Sequence, residues 1–78
     1  MFFVYAIRST VRQYVYVGMT SNIDKRLQYH NHGYERTTKP YSPFELILKE
    51  SYPSRQLARQ REKYLKSGVG REFLAGII

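Results

Sequence analysis

The stretch from Tyr14 to His30 reads YVYVGMTSNIDKRLQYH and places a strand pattern directly before a helix pattern. Its first four residues are aromatic or β-branched, which favours a half-buried strand. Gly18 then allows a turn or the close approach of a ligand to the backbone. Ser21 with Asp24 three residues later is similar to a capping box, so we predict a helix that begins at Ser21. The chain must therefore adopt a fold that contains both strands and helices.

Two polar side chains of this predicted helix fall side by side. Ile23 and Leu27, four residues apart, form a narrow apolar stripe. At roughly 100° per residue, Arg26 and His30 lie on one flank of that stripe, near the end of the strand. A guanidinium and an imidazole held together could bind a phosphate. A helix-edge hydrogen bond is an equally good interpretation of His30.

The charge balance favours a polyanionic partner. Thirteen Lys and Arg residues against six Asp and Glu give a net charge of +7, and nucleic acid is the most plausible polyanion. A well-solvated basic surface is the alternative. The eight tyrosines can stack on bases, although most are expected in packing. The chain has no cysteine, which excludes disulfides and thiolate metal sites.

The chain length bounds the organisation. With 78 residues there is room for one small domain with one core, so we expect a single domain over residues 1–78. No apolar run approaches the roughly 18 residues of a membrane span. The start, MFFVYAI, lacks a charged leader and a cleavage site, which indicates a strand rather than a signal peptide. We expect a cytoplasmic protein without a membrane partner, and the oligomeric state stays open.

The segment from Phe2 to Arg8 alternates in the manner of a strand. Both faces are largely apolar, so we predict a central strand that is covered on both sides. One face carries Phe3, Tyr5 and Ile7, and the other carries Phe2, Val4 and Ala6.

The polar connection after this strand is short enough for a hairpin. If Arg8 pairs with Gln13, Tyr5 lies opposite Tyr16 and both hydroxyls project from one face. A register slip of one residue would place the two tyrosines on different faces.

The second half of the chain predicts a loop, a strand and two helices. Tyr34 to Pro43 is a turn-rich exposed loop that either contacts phosphates or only connects. Phe44 to Lys49 is a third strand, and a helix opened by Pro53 and Ser54 runs to about Ser67, where Gly68 ends it. The loop residues that could donate to phosphates are Arg36, Thr37, Thr38 and Lys39. A closing helix is predicted from Phe73, Leu74, Ile77 and Ile78.

Two charged side chains of the second helix lie at or near its apolar face. Arg61 falls in the middle of that face and Glu62 at its margin. Buried charges need partners or a task. A surface pair of Glu62 with Lys66, four residues on, is the structural alternative, and the residues alone favour it.

Four short motifs in order resemble the GIY-YIG nuclease domain, a family that includes the N-terminal nuclease domain of a bacterial excinuclease and phage homing endonucleases. They are Phe3-Val4-Tyr5, Tyr16-Val17-Gly18, Arg26 with His30, and Arg61-Glu62-Lys63. The resemblance covers essentially the whole chain, and the small stand-alone bacterial branch is the most similar group. It implies an α+β fold with a small three-stranded antiparallel sheet flanked by helices.

The resemblance also implies roles for particular residues. Tyr5 and Tyr16 match the tyrosines of the first and second motifs, with Tyr5 as the general base if Arg26 and a metal lower its pKa. Arg26 matches the arginine that contacts the scissile phosphate, and His30 a histidine one turn later. Glu62 matches the single carboxylate that binds a divalent metal, Mg²⁺ or Mn²⁺.

The implied activity is metal-dependent hydrolysis of DNA with little sequence specificity, in a context such as DNA repair. The nucleic acid is expected to contact Lys25, Arg36, Lys39 and Arg61. A non-catalytic nucleic-acid-binding module or an interaction scaffold of the same fold is the alternative.

Overall fold

In the computed structural model, which describes residues 1–77, the strand β1 (Phe2–Ser9) forms the centre of the sheet. It pairs antiparallel with β2 (Val15–Thr20) on one side and with β3 (Phe44–Tyr52) on the other. The helices are α1 (Ile23–Asn31), α2 (Arg55–Lys66) and α3 (Gly68–Ile77), with a short 3₁₀ turn at Lys39–Tyr41. The predicted α+β fold is confirmed; Ile78, part of the predicted closing helix, lies outside the described residues.

The two apolar faces of β1 explain why the sheet is covered on both sides. On one face α2 and α3 pack over the strands, and the buried residues are Val4, Ala6, Val17, Ala58, Leu65 and Leu74. On the other face α1 packs over the strands, and the buried residues are Tyr5, Ile7, Ile23 and Phe44. The prediction of a central strand buried on both sides is therefore confirmed.

The hairpin between β1 and β2 has a longer loop than the sequence predicted. Arg8 pairs with Val15 and not with Gln13. The reason is the Ser9 hydroxyl, which accepts the backbone N–H groups of Val11 at 3.2 Å and of residue 12 at 2.9 Å. This local turn fixes the backbone after Ser9, and the ladder between the two strands ends at Arg8 and Val15.

The register error does not change which side chains share a face. Tyr5 lies opposite Gly18, and Tyr16 lies opposite Ile7, two positions from the predicted pairing. Because side chains alternate with a period of two, an even shift leaves both tyrosines on the face that α1 covers.

The N-cap of helix α1 lies one residue later than predicted. The side chain of Asn22, not of Ser21, accepts the backbone N–H of Lys25 at 3.1 Å, so Asn22 is the N-cap. The helix ends before Gly33, as the sequence predicted. Gly33 has a φ of 73° and its N–H donates to the carbonyl of His30, which is a glycine C-terminal cap.

A single residue joins α2 and α3. The Ser54 hydroxyl caps α2 as predicted, but Gly68 opens α3 instead of only ending α2. Ser67 lies between them, and its hydroxyl accepts the N–H of Gly70 at 3.3 Å. The two helices therefore meet in a tight corner. Within residues 1–77, no helix has the length and apolarity needed to cross a membrane.

Candidate active site

Two tyrosines form the centre of the candidate site, on the face of the sheet beneath α1. The ring centroids of Tyr5 and Tyr16 lie 6.2 Å apart with a tilt of 42°. Gly18 faces them from β2, and a Cβ atom there would lie 2.5 Å from the Tyr5 hydroxyl and 2.9 Å from the Tyr16 ring. The missing side chain of Gly18 therefore makes room for both rings.

The Tyr5 hydroxyl is hydrogen-bonded to a buried histidine. Its oxygen lies 3.0 Å from Nε2 of His30, whose other ring nitrogen lies 2.9 Å from the hydroxyl of Thr38. His30 and Thr38 are both 0% exposed. The expectation that Thr38 offers a donor to phosphates is therefore wrong, because its hydroxyl is enclosed. His30 likewise cannot hold a phosphate with Arg26, since both of its nitrogens have protein partners.

Arg26 lies half-buried beside the two phenols. Its guanidinium carbon stacks 4.7 Å from the ring centroid of Tyr29. Burial lowers the pKa of Arg26, but hydrogen-bonding and charge interactions with Tyr5 and Tyr16 outweigh burial, so its pKa is raised. The guanidinium is thus a permanent positive charge held next to both hydroxyls.

Burial dominates the ionisation of Tyr5. It raises the pKa of Tyr5 to about 12, with smaller upward contributions from Tyr16 and Glu62 and an opposing effect from Arg26. Arg26 alone therefore does not bring this pKa below its usual value, and the expectation that Arg26 and a metal together lower it stays a prediction. Tyr5 is a neutral phenol at neutral pH.

His30 is a neutral imidazole in this site. Burial lowers the pKa of His30, the positive charge of Arg26 lowers it further, and Glu35 opposes them only in part. The ring is therefore neutral at neutral pH and keeps one nitrogen lone pair. Tyr5 and His30 form a neutral phenol–imidazole pair beneath a guanidinium.

Glu62 approaches the site from α2, which covers the other face of the sheet. Its side chain is 16% exposed, and one carboxylate oxygen lies 3.2 Å from the Lys66 ammonium. The structural alternative, a pair four residues apart, is therefore present. The same carboxylate contributes to the raised pKa of Tyr5, so its charge also acts at the tyrosine.

Few side chains near Glu62 could serve as metal ligands. Among residues 1–77, no group of three or more His, Cys, Asp or Glu side chains could hold a metal ion. A metal at Glu62 would have one carboxylate ligand and would depend on water and substrate oxygens. Mg²⁺ binds in this way, because it keeps several waters and is often held by one or two carboxylates with phosphate oxygens.

Arg61 is engaged within the protein. Its guanidinium donates two hydrogen bonds to Glu50, at 2.8 and 3.1 Å. It also lies 5.1 Å from the ring centroid of Tyr64 and 5.3 Å from that of Phe73. Arg61 therefore has structural partners in one carboxylate and two rings, and its contact with nucleic acid stays a prediction.

The other basic residues that the sequence predicts as contacts of nucleic acid are not part of the candidate site. Lys25, Arg36 and Lys39 are exposed, and Thr37 in the same loop is exposed as well. Their contact with nucleic acid stays a prediction. Thr38 is the one site residue whose position the sequence did not suggest, because nothing in the loop pattern marks it as buried.

An open groove of about 790 Å³ adjoins the site between β2 and the α2–α3 corner. Tyr16 lies in its wall, as does Lys66, the ion-pair partner of Glu62. Arg71 adds a second positive charge to the lining.

Comparison with known proteins gives one family and several bacterial relatives. The profile of the GIY-YIG catalytic domain matches residues 1–73. UPF0213 protein CPE1444 of Clostridium perfringens is 34% identical over 53 residues, which are 67% of this chain and 57% of that protein. UPF0213 protein YazA of Bacillus subtilis is 40% identical over 52 residues, 65% of this chain and 52% of that protein. The match therefore spans a little over half the length of either relative.

A solved structure shows the same fold. The solution NMR structure of UPF0213 protein BH0048 from Bacillus halodurans superposes with a TM-score of 0.58 at 27% sequence identity. The alignment covers 99% of this chain and 85% of that one. The similarity thus extends over all the elements that carry the candidate site.

Proposed function

The chain belongs to the GIY-YIG family, a nuclease-type family, and from this premise we propose that it is a metal-dependent DNA endonuclease. Its substrate would be the phosphodiester bond, with little preference for sequence. The observation that carries the proposal is the 3.0 Å hydrogen bond between the Tyr5 hydroxyl and His30, next to the guanidinium of Arg26.

These residues supply the parts that hydrolysis of a phosphodiester needs. A water attacks phosphorus, and its proton passes to the phenolic oxygen of Tyr5 while the phenolic proton passes to Nε2 of His30. The bond from phosphorus to the leaving oxygen breaks, and that oxygen takes a proton from solvent. Arg26 donates to the phosphate and offsets its growing negative charge. Tyr16 lies where it would orient the phosphate or the water.

Glu62 is the residue that would hold the divalent metal. A bound Mg²⁺ or Mn²⁺ would supply positive charge against the phosphate oxygens. The ion pair with Lys66 is no obstacle, because Lys66 is 53% exposed and free to swing away.

Charge supports nucleic acid as the partner. The net charge of +7 favours a phosphate backbone. Phosphate contacts position a protein without specifying sequence, which is the reason for expecting little sequence preference. Lys25, Arg36 and Lys39 are the exposed residues proposed to contact the backbone.

One observation favours a second candidate, a non-catalytic nucleic-acid-binding module. Glu62 is already paired with Lys66, as a purely structural carboxylate would be. Such a module would bind phosphates through the same basic surface but would hold no metal.

A cleavage assay separates the two candidates. Duplex, branched and single-stranded DNA and an RNA control would be incubated with the protein in Mg²⁺, in Mn²⁺ and in EDTA, with binding measured at several salt concentrations. We expect cuts at unrelated sequences in either metal, none in EDTA, and affinity that falls steeply as salt rises. Salt-dependent binding without cutting in either metal would establish the binding module instead.

The Gly18→Ala variant tests the packing of the two tyrosines. The added methyl would meet the Tyr5 hydroxyl and the Tyr16 ring rather than backbone atoms, so the two rings would have to shift. Because a shift of about 1 Å at a reacting group can cost on the order of 100-fold, we expect cleavage to fall between roughly 10-fold and 100-fold. Binding should be unchanged.

The matched control is Gly76→Ala, since a Cβ at Gly76 meets nothing within 4 Å. It should cut DNA at the wild-type rate. Wild-type cleavage by Gly18→Ala would show that the position of the two tyrosines does not matter for the reaction.

A further inference from the structure

We propose that Thr38 is a positioning residue that holds the imidazole of His30 by accepting its Nδ1 proton. The imidazole Nδ1–H donates to the Thr38 hydroxyl, and Nε2 is left as the acceptor for the proton of Tyr5. The catalytic consequence rests on the proposed nuclease function, whereas the protonation pattern can be measured without any activity.

The first step is to find an acceptor for the phenolic proton of Tyr5. Within residues 1–77 the one hydrogen-bond partner of the Tyr5 hydroxyl that can accept is Nε2 of His30, at 3.0 Å. Arg26 also interacts with this oxygen, but a guanidinium can only donate. The phenol therefore has to donate to Nε2, and Nε2 must carry no proton.

The second step follows from the neutral imidazole. With Nε2 unprotonated, the proton lies on Nδ1, which is 2.9 Å from the Thr38 hydroxyl oxygen. Thr38 accepts this proton and points its own toward the carbonyl of Glu35, at 3.4 Å. Each donor in the chain from Tyr5 to Glu35 then has an acceptor.

The opposite tautomer leaves a buried proton without a partner. Nε2–H and the guanidinium of Arg26 would both point at the Tyr5 oxygen. The phenolic proton would then have no protein acceptor among residues 1–77, although Tyr5 is only 2% exposed. An unsatisfied buried donor is costly, so the first arrangement is the stable one.

The loop between α1 and β3 is built to hold Thr38 in place. Its backbone N–H donates to the carbonyl of Glu35 at 3.2 Å, and Thr38 leads into the 3₁₀ turn Lys39–Tyr41. Beyond that turn, the side chain of Asn31 accepts the N–H of Phe44 at 2.6 Å and ties the loop end to α1. The loop therefore holds His30 in position through the side chain of Thr38.

Two variants of Thr38 test the assignment. Thr38→Val keeps the shape and removes the hydroxyl, and Thr38→Ser keeps the hydroxyl. ¹⁵N NMR of the imidazole nitrogens reports which of them carries the proton, and the exposed His32 provides an internal reference. We expect an Nδ1–H signal at His30 in the wild type and in Thr38→Ser. In Thr38→Val we expect loss of a resolved Nδ1–H signal, because that proton then has no acceptor.

Cleavage kinetics give the second readout. We expect kcat to fall by roughly 10-fold to 100-fold in Thr38→Val with KM unchanged, and to be restored in Thr38→Ser. Nε2–H at His30 in the wild type would overturn the proposal, as would a Thr38→Val protein with the wild-type pattern and kcat.

Failure of the nuclease proposal would look different. A wild-type protein that shows Nδ1–H at His30, loses it in Thr38→Val and never cuts DNA supports the positioning role and contradicts the nuclease function. If Thr38→Val does not fold, the wild-type spectrum alone still decides the tautomer.

Discussion

The Glu62→Gln variant is expected to lose metal-dependent cleavage while it still binds DNA. The substitution removes the carboxylate charge that would hold Mg²⁺ and keeps nearly the same shape. The loss of an electrostatic contribution at a reacting phosphate is worth at least on the order of 100-fold in kcat. Binding should persist or become tighter, because a negative charge leaves a basic protein.

Glu72→Gln is the control, since Glu72 is exposed on α3 and loses the same charge. It should cut as the wild type does. Thermal unfolding of Glu62→Gln should change little, because its partner Lys66 is exposed and such pairs contribute roughly 0–1 kcal/mol. If Glu62→Gln cuts as fast as the wild type, the metal is held elsewhere and only the nuclease assignment survives.

The sequence predicted the sheet well because the error in the hairpin left the alternation of side chains between the two faces unchanged. The two apolar faces of β1 placed it at the centre, and the structure confirms this order. The hairpin register was wrong, since the Ser9 turn was not visible in the pattern. Tyr5 and Tyr16 nevertheless share a face, because the error was an even number of residues.

The sequence failed where a side chain's partner comes from another element. Arg61 was recognised as unusual in an apolar face, but its carboxylate partner, Glu50, lies on β3 and no local pattern links the two. Thr38 lies in a polar, turn-rich stretch, which predicts an exposed side chain. It is buried because its hydroxyl contacts the ring of His30, and this contact exists only in the folded protein.

The sequence also could not predict the ionisation of Tyr5, because ionisation depends on burial in the folded protein. The motif order placed Tyr5 beside Arg26, which suggested a lowered pKa. In the fold the phenol is almost fully enclosed, and burial raises its pKa to about 12 despite the guanidinium. The hydrogen-bond partner of Tyr5 is His30, and this contact could not be read from spacing along α1.

The corner between α2 and α3 leads to the second large effect, at Gly70. A Cβ atom there would overlap the carbonyl oxygen of Tyr64 and lie 2.6 Å from the carbonyl carbon of Leu65. Both are backbone atoms, so the contact cannot be relieved by a rotamer change. In the sequence this glycine is only a weak helix former, whereas in the fold it is the point where two helices touch.

Gly70→Ala should therefore destabilise the protein, by about 3 kcal/mol at the upper end of the usual cost of overpacking. For a domain of this size each kcal/mol lowers Tm by roughly 4–8 °C. Gly76→Ala, on the same helix with open space around it, should be neutral or stabilising by up to about 1 kcal/mol. Thermal and denaturant unfolding of the two variants and the wild type give the comparison. If Gly70→Ala proves as stable as Gly76→Ala, the corner can open, and the close contact of α2 with α3 is not what holds α3 on the sheet.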